Sequence, residues 1–211
     1  MAKKAKSESI NNPSNDGSQI IELGIPYLVE AELVGVSSML FHRWSCDAVE
    51  AKANAPKNSK AKKSDDLESY VWRDSSGNLC VPGEYVRMAI LGAAKFRQDP
   101  RSPRKSAFDL FKAGVVPVTD FASLGITDWD FVDRRRAVVQ RNAITRQRPG
   151  VSKGWKISVS LQVILPEYIE PDTLHSVLVD AGRLVGIGDF RPTFGRFLVE
   201  KFSRIELSQV A

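Results

Sequence analysis

Cysteine and histidine are scarce, with two of each in 211 residues. Cys46 and Cys80 form no C-x-x-C pair, and with His42 and His175 they complete no zinc pattern. No metal or cofactor site is therefore predicted, and two reduced thiols are expected. Long apolar runs are missing as well. No stretch approaches the ~20 residues needed to span a bilayer. The opening MAKKAKSESINNPSNDGSQ has lysines but no apolar core behind them, unlike a signal peptide. A cytoplasmic protein with no membrane partner is expected. Catalytic patterns are equally poor. H-E-x-x-H, G-x-S-x-G and paired-acid motifs do not occur. Asp47 lies near His42, which alone does not make an acid–base pair. No catalytic residue is assigned, and an enzyme is not expected.

What is present is enough apolar material for a core, 43% of residues, and a net charge of +5. Residues 1–19 are dominated by Ser, Asn and Lys and read as a disordered tail; 20–211 read as one domain. From Tyr27 to Val36, Tyr27, Val29, Ala31 and Leu33 alternate with Glu30 and Glu32, the pattern of a half-buried strand. Residues 45–69 break the pattern. Within them, AKANAPKNSKAKKSDD, residues 51–66, holds five lysines between Lys52 and Lys63 and no acid until Asp65. Without an apolar face, they read as a long, flexible basic insertion. A hairpin is expected from Tyr70–Trp72 and Leu79–Val81 around Gly77-Asn78.

Val86, Ala89, Ile90, Ala93 and Ala94 recur at helical spacing over 84–97. Residues 98–107 read as a basic loop, with a helical turn at Phe108–Lys112 and a short strand at Val115–Val118. Phe131–Gln140 is the next strand candidate, followed by a loop, NAITRQRPGVSKG. Trp155, Ile157, Val159, Leu161, Val163 and Leu165 then share one face of a strand. A helix follows, with Asp172 as candidate cap and Leu174, Val177, Leu178, Ala181 and Val185 as its buried stripe. The last strand runs from Phe197 to about Leu207. The order strand, insertion, helix, strand, strand, helix, strand predicts an α+β, ferredoxin-like (RRM-like) β-α-β-β-α-β antiparallel sheet with two helices.

Four constellations could carry function. Arg134, Arg135, Arg136, Arg141, Arg146 and Arg148 face only Asp130 and Asp133 in sequence, and arginine's planar fork suits phosphate. Arg87, Lys95, Arg97, Arg101, Arg104 and Lys105 cluster around one helix end, where cations are favoured in any case. The segment GIGDFRPTFGRF adds Arg191 and Arg196 to Gly186, Gly188 and Gly195. Such glycines let backbone approach a ligand, though Gly186 also fits a plain C-cap. It is neither a Rossmann fingerprint nor a P-loop. MLFHRW brings His42, Arg43 and Trp44 together, the mixture that base stacking and phosphate contact use; core packing of Phe41 and Trp44 is the alternative.

GIGDFRPTFGRF between the last helix and last strand resembles the RAMP superfamily of CRISPR-associated proteins. The likeness is to its backbone subunits, which line up along a guide RNA. CVPGEYVRMAILGAAKF, residues 80–96, is similar to that family's Pro-Gly turn opening the first helix. Gly195-Arg196-Phe197 departs from the family's frequent G-x-G ending. The chain also resembles compact bacteriophage-encoded proteins with similar endings. Some RAMP subunits cut RNA with an aspartate after the first strand. Asp47 has a similar place but no matching motif, so the role is not carried over.

The resemblance implies sequence-independent binding of single-stranded RNA, or single-stranded DNA, by a homo-oligomer assembling along the strand, with other proteins of a ribonucleoprotein complex as partners. An RNA-processing or RNA-cleaving enzyme and a structural phage assembly protein are the alternatives.

Overall fold

The computed structural model describes residues 24–56, 66–139 and 142–206. Its central sheet is built from β1 (Tyr27–Gly35), β7 (Val115–Pro117), β11 (Lys156–Val163) and β12 (Phe197–Glu206), in the order β12-β1-β11-β7. Every neighbouring pair is antiparallel. The alternation on β1 is realised: Tyr27, Val29, Ala31 and Leu33 are buried, opposite Val163, Leu161, Val159 and Ile157. Two helices close over this face. α2 (Gly83–Ala94) buries Val86, Ala89, Ile90, Ala93 and Ala94, and α4 (Pro171–Asp180) buries Leu174, Val177 and Leu178. These side chains share one buried cluster with the sheet. Each large one contributes about 1.5–3 kcal/mol. This is the ferredoxin-like fold, α+β and antiparallel.

Four smaller pieces surround it. β2 (Met39–Leu40) pairs with β10 (Asn142–Val151), which pairs with β9 (Phe131–Val139). A 3-10 turn at Glu68–Tyr70 leads into β3 (Trp72–Arg73), which with β4 (Leu79–Pro82) and β8 (Phe121–Ser123) makes a second small sheet. β5 (Gln98–Asp99) and β6 (Ser102–Ser106) form a hairpin. α3 (Phe108–Gly114) then runs straight into β7.

The sequence-based order is right in kind but misplaces one strand. The second strand of the ferredoxin-like unit is the short β7, not 131–140. β9 finds its partner in β10 across the register Arg135↔Arg146, so both leave the central sheet as a hairpin. Residues 142–151 are accordingly strand, where a loop is expected. The basic loop expected at 98–107 is likewise a hairpin, since the Gln98↔Ser106 pairing satisfies its backbone.

The insertion expected at 45–69 is partly ordered structure. α1 (Cys46–Asn54) starts at Ser45, whose side chain accepts from the Ala48 backbone N–H at 3.3 Å. α1 buries no residue, which is why no apolar stripe announces it. Residues 57–65, with most of the lysines, and the expected tail at 1–19 lie outside the described residues. Asp172 is not the cap of α4. Glu170 takes that place and Pro171 the first helical position, where a missing N–H costs nothing.

Candidate nucleic-acid interface

The register fixes which loops meet. β1 ends at Gly35 beside Phe197, the start of β12, while β11 begins just after Trp155. Three segments therefore converge at one end of the sheet: 36–44, the glycine segment 186–196, and the β9–β10 hairpin. Backbone bonds tie them together. Asp189 N–H donates to Leu40 O at 2.9 Å, Gly195 N–H to Ser38 O at 2.8 Å, and Phe41 N–H to Pro149 O at 2.9 Å.

Glycine is required at two points here. Gly195 has φ +74°, and a Cβ would fall 1.7 Å from Ile187 O. Gly188 has φ +83°, and a Cβ would fall 2.6 Å from Leu40 O. Gly186 serves as the helix stop, with φ +75° and its N–H donating to Ala181 O, as the C-cap reading expects.

The hairpin divides the arginines by strand alternation. Asp133 and Arg135 oppose Arg148 and Arg146. These four share the inner face, towards the glycine segment. The Arg135 guanidinium lies 4.5 Å from the Phe190 ring centre and 5.0 Å from that of Phe194, and is paired with Asp133. Arg146 lies 5.9 Å from the Phe190 ring centre. Arg148, only 3% exposed, donates to Asp189 at 3.0 Å and stacks 4.3 Å from the Tyr70 ring centre. Arg134 and Arg136 point the other way and are exposed, as are Arg191 and Arg196 on the glycine segment. Arg141 lies outside the described residues.

His42 sits beside this inner face. Its Nδ1 is 3.7 Å from the Asp189 carboxylate, and its ring meets Tyr70 edge-on at 5.7 Å. Burial, reinforced by the Arg148 and Arg146 charges, holds its pKa below the ordinary 6.5, although Asp189 pulls the other way. Imidazole rather than imidazolium is the resting form at neutral pH. Beyond His42, the Arg43 guanidinium stacks 4.4 Å from the Trp72 ring centre, and Trp72 meets Phe121 at 5.3 Å. The two aromatics of MLFHRW separate: Phe41 is buried in the core, whereas Trp44 is 70% exposed.

Tyr70 and Trp72 are the contributors missed in the sequence. The signal is present in Tyr70-Val71-Trp72, where a buried Val71 separates two aromatics on one face.

The second basic constellation is arranged differently. Arg87 donates to Val115 O at 2.8 Å, to Lys112 O at 2.7 Å and to Glu84 at 2.8 Å. Arg97 pairs with Asp180 and donates to Ser176 on α4. Arg101 grips the buried Asp99 with two bonds, lowering the Asp99 pKa. Lys95 lies 5.2 Å from the Phe108 ring centre. Arg104 and Lys105 are exposed on β6. Because Val115 pairs with Val163 and Val163 with Tyr27, the Arg87 contacts lie at the opposite end of the sheet from the glycine segment. Eight or nine strand residues separate the ends, on the order of 25 Å.

The open face of the central sheet offers no stacking platform. Its described residues on β1 and β11 are Leu28, Glu30, Glu32 and Val34 with Lys156, Ser158, Ser160 and Gln162. Lys201 pairs with Glu32 and Lys156 with Glu200 across it. Among the described residues, no three His, Cys, Asp or Glu side chains come together as metal ligands. No helix there is long and apolar enough to cross a membrane.

No family model matches the chain, and no curated protein does. Solved structures do. One is a chain of the type III-B Cmr-beta bound to cognate target RNA, solved by cryo-EM: 12% identical, TM-score 0.51, covering 86% of this chain. This chain spans only 61% of that one's length. Another is Cmr6 from Pyrococcus furiosus, 10% identical with TM-score 0.43, covering 83% of this chain and 98% of that one. The fold of this chain is thus similar to that of a chain in the type III-B Cmr-beta structure.

Proposed function

We propose that this chain holds single-stranded nucleic acid, RNA in preference to DNA, by its sugar-phosphate backbone and without base preference. The observation that carries this is the division of arginines on the β9–β10 hairpin. Arg135 and Arg148 spend their charge inside, on Asp133 and Asp189. Arg134, Arg136, Arg191 and Arg196 remain exposed around the same end of the sheet. Arginine at such a rim meets phosphate with paired N–H donors. The fold shared with a chain of an RNA-bound Cmr-beta structure supports RNA as the strand.

Repeated subunits along the strand extend this reading. One such end covers few nucleotides, so several copies bind more tightly than one. Among the described residues, β12, ten residues long, pairs on one side only and offers an edge for a neighbour. A head-to-tail contact of this kind need not close. The test is mass in solution with single strands of increasing length. Mass that grows with length is expected; one copy on a saturated long strand contradicts assembly. Binding that does not weaken with salt contradicts backbone recognition itself.

One observation favours a second reading, an RNA-cleaving enzyme. His42 is held neutral between a carboxylate and two arginines, an arrangement that suits a general base activating a 2′-hydroxyl. Incubating labelled RNA with the protein, with and without divalent cation, and repeating with His42→Ala, decides it. Cleavage lost in the variant supports the second reading, and an intact strand retains the first.

A further inference from the structure

Arg43 and Trp72 carry an anomaly that the strand-binding surface does not absorb. Arg43 Nε and Trp72 Nε1 are buried, and neither has a hydrogen-bond partner. Both are donors, and buried N–H groups nearly always find an acceptor. Several other part-buried or buried arginines have a carboxylate: Arg73 has Glu68, Arg87 has Glu84, Arg148 has Asp189. Among the described residues, no carboxylate lies within ion-pair distance of Arg43. Its guanidinium instead lies over the indole, 4.4 Å from the ring centre. Two orphaned donors side by side define what is missing, an acceptor rich in lone pairs.

The surroundings narrow the acceptor further. The Arg43 backbone N–H donates to Tyr70 O at 2.8 Å, which places this pair next to the Tyr70 ring that Arg148 stacks on. Phe121, 45% exposed, packs against Trp72 at 5.3 Å, and Trp44 stands 70% exposed one residue on from Arg43. A cation, four aromatic rings and unpaired donors, continuous with an arginine face, match a nucleotide: a phosphate for the donors and a base for the ring.

We propose that Arg43 and Trp72 form a nucleotide-contact site that the strand itself opens. In the free protein the guanidinium covers the indole. When a strand arrives, Arg43 turns to a phosphodiester oxygen and a base takes its place on Trp72. The exchange replaces one stacked partner of the indole with another, so it gives up little, and it gives Arg43 Nε–H the acceptor it lacks. Base identity matters little, because every base has a π-face. This rests on the strand-binding reading above and adds a base contact to its backbone contacts.

The test uses the full chain and a short single-stranded RNA, with an identical strand carrying abasic positions. Tryptophan emission should be quenched on binding, in the wild type and in Trp44→Phe, whereas Trp72→Phe should lose most of the quench. The abasic strand should bind roughly tenfold more weakly than the intact one, the scale of one base–aromatic stack. Trp72→Leu should erase that difference. Should Trp72→Leu fail to fold, Arg43→Gln provides the second measurement, and it should weaken both strands. A quench that disappears in Trp44→Phe instead, or equal affinity for intact and abasic strands with salt dependence retained, overturns this site and leaves the backbone reading standing. No binding of either strand overturns both.

Discussion

The two basic regions of this molecule contain similar residues and differ in what those residues do. In the region around α2, Arg87, Arg97 and Arg101 spend their N–H groups on backbone carbonyls, Asp180 and the buried Asp99. Arg87 ties α2 to α3, Arg97 ties the end of α2 to α4, and Arg101 closes the β5–β6 hairpin on Asp99. At the glycine-segment end, strand alternation turns Arg135 and Arg148 inward and leaves Arg134 and Arg136 outward. The difference teaches that a cluster of cations in sequence is not yet a charged surface. Whether it becomes one depends on how many carboxylates and carbonyls the fold brings within reach.

The comparison breaks most severely if the seat of the hairpin is lost. Gly195→Ala places a Cβ against Ile187 O at a positive φ, so destabilisation on the order of 3 kcal/mol is expected in chemical denaturation. Next comes Arg148→Ala, which leaves Asp189 without its buried partner and Tyr70 without its stacked cation. A loss of about 2–3 kcal/mol follows, less than for a fully buried pair because Asp189 keeps some contact with water. In the braced region, Arg97→Ala should cost about 1 kcal/mol, since Arg97 is part-exposed, with little change in strand affinity. Preserved stability with lost affinity would show that Arg97 is a binding residue and not a brace.

The smallest effect is a titration. The folded pKa of His42 lies below its ordinary 6.5, so the neutral form stabilises the fold above that pH. That contribution is lost as pH falls from there through the folded pKa. Asp189→Asn removes the one charge that raises the value, and the His42 NMR titration should then shift further down. An upward shift would show that the carboxylate does not act on His42 as the geometry states.

The fold was legible where one face is buried. β1, β11, α2 and α4 each show their period because half of each faces the core. β9 and β10 were harder. Arginines at Arg134, Arg135, Arg136, Arg146 and Arg148 mask the alternation, and Pro149-Gly150 looks like a turn. Yet Gly150 is strand, kept small because a Cβ would meet Leu40 and Phe131 at 2.7 Å. The site was half legible. The glycine segment announced itself by composition, but which arginines are free depends on the register Arg135↔Arg146 and on Asp189, 41 residues beyond Arg148. Pairings across that distance leave no local signal.

The central claim is that exposed arginines at the glycine-segment end hold the strand, and the salt dependence of binding tests it most directly. Affinity for one single-stranded RNA should be measured across a salt series for the wild type, Arg134→Gln/Arg136→Gln and Arg104→Gln/Lys105→Gln. Both variants remove two exposed charges, one pair from each basic region. Each phosphate contact adds about 0.7 to the slope of log affinity against log salt on single strands. The Arg134/Arg136 variant should therefore lose about 1.4 from that slope, and the Arg104/Lys105 variant almost none. Equal losses, or the larger loss in Arg104/Lys105, would contradict the account.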